Sequence, residues 1–251
     1  MTRERARSAA RAGPEEMLRK ATTARTPVAR AKYARRGLAE GRLDTTTRAM
    51  LLRQLYLAHM EGRRFAMALA AAREMVPLGV LEDVARQDVA RAHLALGEVG
   101  HAVEEIRVAS RVSPPSRRAF HLWTLGSVLY LHGRAGDAAA VFARAARWGT
   151  HDKALYLAQR ALALVASGQQ PAESLSALRA RLQEQACGRG YGEFVLGELC
   201  FFLGDDLAAA RYLTSFIHRN VMGRVVLAIS LEAELNRARS LLERISERQK
   251  Q

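Results

Sequence analysis

Residues 125–145 read LGSVLYLHGRAGDAAAVFARA, and this stretch decides the fold. Leu125 and Leu129 stand four apart, as do Ala138 and Phe142, and Ala145 follows three residues later. Apolar residues recurring at three and four positions mark one face of an α-helix. Gly133 separates the two patterns. A glycine at such a joint takes the positive φ that ends one helix and turns the chain into the next. The stretch therefore reads as a helical hairpin. Gly126 inside its first helix costs about 1 kcal/mol against alanine, and close approach of the second helix is the compensation.

Outward from this hairpin the pattern repeats. Gly62, Gly97, Gly133, Gly168 and Gly204 form a ladder with steps of 35, 36, 35 and 36 residues. A period in this range marks stacked supersecondary units. Five residues after Gly97, Gly133 and Gly204 come Ala102, Ala138 and Ala209, and four further on Ile106, Phe142 and Leu213. Val89-Ala90, Leu125-Gly126 and Leu196-Gly197 stand eight and seven residues before those glycines. Alternating β-branched and polar residues are nearly absent. The fold class is all-α, an array of antiparallel helical hairpins.

These motifs resemble the tetratricopeptide repeat family, whose pattern is a Leu-Gly-like pair, a large residue, a turn glycine, then Ala, a large residue and Ala. The unit of residues 125–145 matches best, followed by Val89-Ala90, His93, Gly97, Ala102, Ile106, Ala109 and Pro114, and by Leu196-Gly197, Cys200, Gly204, Ala209, Leu213 and Phe216. The first unit, Leu55, Tyr56, Gly62, Phe65, Ala68 and Pro77, has one extra residue in its turn. In the fourth, Arg160 and Glu173 depart from the pattern, and the second helix is expected to shift by a residue around Pro171. A sixth unit, Val225-Val226, Ile229, Ala238, Leu242 and Ile245, lacks the glycine and reads as a terminal capping pair. The domain reading is a basic, flexible arm over residues 1–26, a capping helix over 27–45 and the repeat domain over 46–247.

The resemblance implies a right-handed superhelix whose first helices line a concave, peptide-binding groove. Residues at i, i+4 and i+7 place Arg53, Leu57 and Met60, then Arg91 and Leu94, then Trp123 and Tyr130, and finally Phe194 and Phe201 on that surface. Aromatic residues make up 6% of the chain, so four on one surface stand out. The expected partner is an amphipathic helix or extended segment of another protein, acidic ones included, held by aromatic anchors. The plainer alternative is that these rings pack on neighbouring hairpins or on an internal helix. An apolar floor is similar to that of the repeat chaperones of type III secretion substrates, and the implied role is scaffold, adaptor or chaperone.

Charge supports a second reading. Lys and Arg total 39 against 25 Asp and Glu, a net +14. Residues 1–37 hold eleven basic and three acidic residues, a net +8. Such a front end attracts nucleic acid, an anionic membrane surface or an acidic protein, and Arg107, Arg111, Arg117, Arg118, Arg144 and Arg147 extend the basic character. Only four of the basic residues are lysine, while Ala occurs 46 times, which also fits codon bias in a GC-rich genome.

No catalytic, cofactor-binding or metal site is expected. The seven histidines show no metal spacing, and His93 sits at a packing position. Cys187 and Cys200 are 13 residues apart and read as structural thiols. Asp205-Asp206 read as helix-capping acids. Gly188-Arg189-Gly190-Tyr191-Gly192 follows no strand and lacks the Lys-Ser/Thr of a P-loop, so it reads as a flexible linker. No apolar run of 18 residues occurs, so membrane insertion is not expected, and the chain is expected to be cytoplasmic. Self-association through stacking of terminal hairpins is open to such arrays.

Overall fold

In the computed structural model, which describes residues 13–250, helices pack successively on their neighbours, and the described residues contain no strand. The chain forms two compact units that meet within one helix, between Ala102 and Val103.

The first unit holds α1 (Pro14–Thr23), α2 (Pro27–Leu38), α3 (Thr45–Glu61), α4 (Phe65–Met75) and α5 (Glu82–Ala95). Each packs on the next, and α3 also touches α1 and α5. Thr26 and Asp44 cap α2 and α3 by accepting from the N–H groups of Ala29 and Thr47. The α1 helix corrects the expectation of a flexible arm across its residues. Met17 and Ala21 are four apart and fully buried, and the missing side chain of Gly37 admits both Met17 and Leu51. Residues 1–12 of the expected arm lie outside the described residues.

Helix α6 (Val99–Val112) carries the boundary. The second unit continues with α7 (Pro115–Leu131), α8 (Ala135–Trp148), α9 (Lys153–Ala166), α10 (Leu175–Glu184), α11 (Tyr191–Phe202), α12 (Asp206–Val221), α13 (Val225–Ser230) and α14 (Glu232–Arg248). Helix α9 touches both α7 and α11, so these three form one layer, with α8 packed against α7 and α9. The expected close approaches are present. A Cβ on Gly126 would lie 2.6 Å from the Phe142 ring, and one on Gly197 would lie 2.6 Å from Leu213.

The glycine ladder works as a set of left-handed turns at four of its five rungs. Gly97, Gly133, Gly168 and Gly204 have φ between 76° and 80°. Gly62 does not, at −82°, and Arg63 takes the left-handed turn instead at 52°. The extra residue in the first turn moves the reversal one position past its glycine. The fourth unit departs further than a one-residue shift. Its second helix, α10, starts only at Leu175, because Pro171 and its neighbours run outside a helix and Ser174 supplies the cap.

Candidate functional site

The surface residues expected from sequence fall in different units. In the first unit, α3 contributes Arg53, Leu57 and Met60, and α5 contributes Arg91 and Leu94. Met60 is fully buried, while Leu57 and Leu94 are partly covered. Arg53 donates from Nε to Asp88 at 3.1 Å, and Arg91 reaches the other Asp88 oxygen at 3.5 Å. Burial of the Asp88 carboxyl raises its pKa, and the guanidinium groups of Arg91 and Arg53 oppose that rise. Both arginines thus serve a buried acid on their own unit.

In the second unit, Trp123 and Tyr130 lie on α7, and Phe194 and Phe201 lie on α11. Tyr130, Phe194 and Phe201 are buried, so they do not form the open floor that the groove expectation describes. What covers this face is α14. It touches α11 and α12 and reaches back to α7. The sequence reads this segment as a cap at the end of the array, and the structure instead lays it across the helices that carry the aromatic stripe.

Polar contacts fix α14 in place. Tyr130 donates its hydroxyl to Oε1 of Glu198 at 3.1 Å, and Arg237 of α14 donates from Nε to the same oxygen at 3.0 Å. Glu198 is fully buried, and its Oε2 has no hydrogen-bond partner. A second chain of hydrogen bonds runs from α7 to α14 in one direction. Trp123 donates from its indole N–H to Gln159 of α9, and the Gln159 amide donates to the Tyr191 hydroxyl at 3.4 Å. Tyr191 in turn donates to Glu234 of α14 at 3.2 Å. Burial pushes the Glu234 carboxyl up to about 7, with the Glu198 charge acting in the same direction. Burial likewise raises the Glu198 carboxyl, and Arg237 opposes it.

Trp123, Tyr191 and Phe194 form a connected set of rings, and Phe201 packs apart from them on Phe202. Tyr191 meets Trp123 edge-on at 4.8 Å and Phe194 at 5.7 Å. Phe201 carries two guanidinium groups of α14 on its ring, Arg244 at 4.8 Å and Arg248 at 4.2 Å. Tyr191, Gln159, Glu234 and Arg237 are the members that sequence reasoning missed. The signal for α14 was present: Arg237, Arg244 and Arg248, at steps of seven and four, fall on one helical stripe.

The remaining expectations resolve locally. Asp205 accepts from the N–H of Ala208 and caps α12, and it also binds Arg179. Residues 188–192 form a close-packed turn instead of a flexible linker. Cβ atoms on Gly188 and Gly192 would lie 2.1 Å from the carbonyl oxygens of Leu182 and Cys187. Cys187 and Cys200 are unpaired thiols.

His93, Glu98 and His101 have ligand atoms within 4.8 Å of one another. His93 is buried, with Nδ1 at 2.5 Å from Glu98 and Nε2 at 3.3 Å from the guanidinium of Arg73. Arginine can only donate, so Nε2 accepts and Nδ1 carries the proton toward Glu98. That arrangement occupies both ring nitrogens, and a cation would also meet the Arg73 charge. The cluster is a hydrogen-bond relay within the first unit.

No helix among the described residues is long and apolar enough to cross a membrane. No protein-family model matches the chain, and no curated protein matches it significantly.

Proposed function

We propose that this protein is a non-enzymatic helical-repeat scaffold, of the adaptor or chaperone kind and tetratricopeptide-like, that binds a helical segment of another protein on the face formed by α7, α9 and α11. The observation that supports this reading is the seating of α14. A face built from the first helices of successive hairpins holds an amphipathic helix there through a buried carboxylate and aromatic rings. Helix-in-groove recognition uses the same ingredients, apolar anchors at helical spacing and a few placed polar groups. The in-phase repeats lend support to the tetratricopeptide reading. A cytoplasmic location and a protein partner belong to the same proposal.

The test is purification of the tagged chain from its native host after nuclease treatment, with co-purifying species identified by mass spectrometry. A stoichiometric protein retained at high salt is the expected result. Recovery of nucleic acid without nuclease, and of no protein with it, counts against the scaffold.

One observation favours a charge-driven nucleic-acid reading as the alternative. Arg107, Arg111 and Arg144 line a cleft of about 290 Å³ between α6 and α8, over Leu125 and Leu129. Arg107 is paired with Glu104, and Asp137, which also lines the cleft, is paired with Arg134, so Arg111 and Arg144 are the guanidinium groups left for an anion. Nucleic-acid affinity at this cleft falls log-linearly with salt, and replacing Arg111 and Arg144 flattens the slope by about two.

A further inference from the structure

We infer that α14 is an exchangeable occupant of the α7–α9–α11 face, and that the segment replacing it is an amphipathic helix carrying a row of arginines in the register of Arg237, Arg244 and Arg248. The inference rests on the scaffold reading and adds the chemistry of the partner and the regulation of the site.

Three observations carry it. The first is complementarity. The face presents a buried carboxylate at Glu198, with one oxygen still unpartnered, and the Phe201 ring, which accepts two guanidinium groups. An arginine row at i, i+7 and i+11 meets the bonded Glu198 oxygen and the Phe201 ring from one side of a helix. Glu198 and Phe201 therefore select for basic helices.

The second is that α14 is an imperfect ligand for its own site. Along with Arg237 it brings Glu234, a carboxyl with Glu198 nearby and only the Tyr191 hydroxyl as its side-chain donor. A helix with a neutral, hydrogen-bonding residue at that register keeps the Tyr191 contact and removes the like-charge cost. A segment that differs from α14 at this one position fits the face better than the α14 sequence does.

The third is weak attachment. Five of the seventeen residues of α14 are buried, a share close to the four of sixteen in α12, so the looseness lies in the segment that leads into α14. Helix α13, which leads into it, is six residues long and buries only Ile229. Around it Val221, Met222, Val225 and Leu227 are exposed, Met222 at 75%. Segments with few buried apolar contacts open locally at lower free energy than the rest of a fold. The α13 hinge has that character, and α14 hangs from it.

The experiment uses the full chain with Trp148→Phe, so that Trp123 is the single reporter of the Tyr191–Glu234 contact. The probe is a synthetic peptide of residues 231–250 with glutamine at position 234. Hydrogen exchange of the chain alone should show α14 amides exchanging at least about tenfold faster than those of α11. The peptide should change Trp123 fluorescence, and chain variant R237E, which repels its own α14 from Glu198, should bind it at least about tenfold more tightly. The R244A/R248A chain, altered above Phe201 and at the Arg248–Asp206 ion pair, gives the same direction if R237E loses helicity. Equal protection of α14 and α11, or no gain in peptide affinity in the folded variant, overturns the inference. A doubled mass in light scattering that the peptide dissociates assigns the site to a second copy and overturns the basic partner. Recovery of nucleic acid alone from the native host sinks the scaffold reading without touching the exchange result, so the two failures are distinguishable.

Discussion

Arg237 of α14 holds Glu198 of α11 at 3.0 Å, inside a site where the carboxylate has no solvent exposure and shares its bonded oxygen with Tyr130. Burying a carboxylate is costly unless a charge and hydrogen bonds compensate it. The pair therefore sets where α14 can lie. An apolar helix in this position would strand the Glu198 charge.

Removing one partner exposes that dependence. Arg237→Ala is expected to weaken α14 docking by about 3 kcal/mol, because it leaves the buried carboxylate uncompensated. The loss is read as faster hydrogen exchange of α14 amides, with α11 amides moving less. The double variant E198Q/R237M should lose less than R237A alone, since it removes the charge together with its partner.

Docking of α14 should also depend on pH. The Glu234 carboxyl is raised from its ordinary 4.5 to about 7 by burial. The docked form thus binds the proton more tightly, and the stability this contributes is full below 4.5 and is lost as pH rises through 7. Each unit between those values is worth about 1.4 kcal/mol. The groups facing it are Tyr191 and Glu198 of α11. Burial raises Glu198 in the same direction, so the difference between wild type and Glu234→Gln isolates the effect. The variant should show a flatter loss of α14 protection between pH 5 and pH 8 on the order expected from one carboxyl.

Gly126 and Gly197 are sites where a single methyl group is too large. Gly126→Ala places a Cβ 2.6 Å from the Phe142 ring, and Gly197→Ala places one 2.6 Å from Leu213. Each is expected to destabilise the second unit by about 1–3 kcal/mol through overpacking, despite the better helix propensity of alanine. Urea denaturation measures the loss, and Phe142→Leu should recover part of it in the Gly126→Ala background.

The first turn carries avoidable strain. Arg63 holds φ at 52°, where the later turns use glycine. Arg63→Gly should stabilise the first unit by about 1 kcal/mol, while Gly133→Ala should cost the second unit about as much. Thermal denaturation of both variants compares the two directions.

The hairpin ladder was legible because its causes are local. A 3.6-residue apolar period and a turn glycine every 35 or 36 residues specify two helices and a reversal without reference to the rest of the chain. The aromatic stripe of Trp123, Tyr130, Phe194 and Phe201 was legible for the same reason. The α1 helix was not, since it depends on Met17 meeting the bare backbone of Gly37 and the Leu51 side chain. Neither was the late start of α10, where Ser174 supplies the cap.

Local residue pattern thus specifies the class, the hairpins and the residues along one side of their first helices. Whether that side stands open depends on contacts between distant segments. Tyr130 and Glu198 are 68 residues apart and Glu198 and Arg237 are 39 apart, separations at which no helical period relates one side chain to another. The position of α14 follows instead from a balance between desolvating Glu198 and satisfying it, and that balance exists only once α7 and α11 have been brought together.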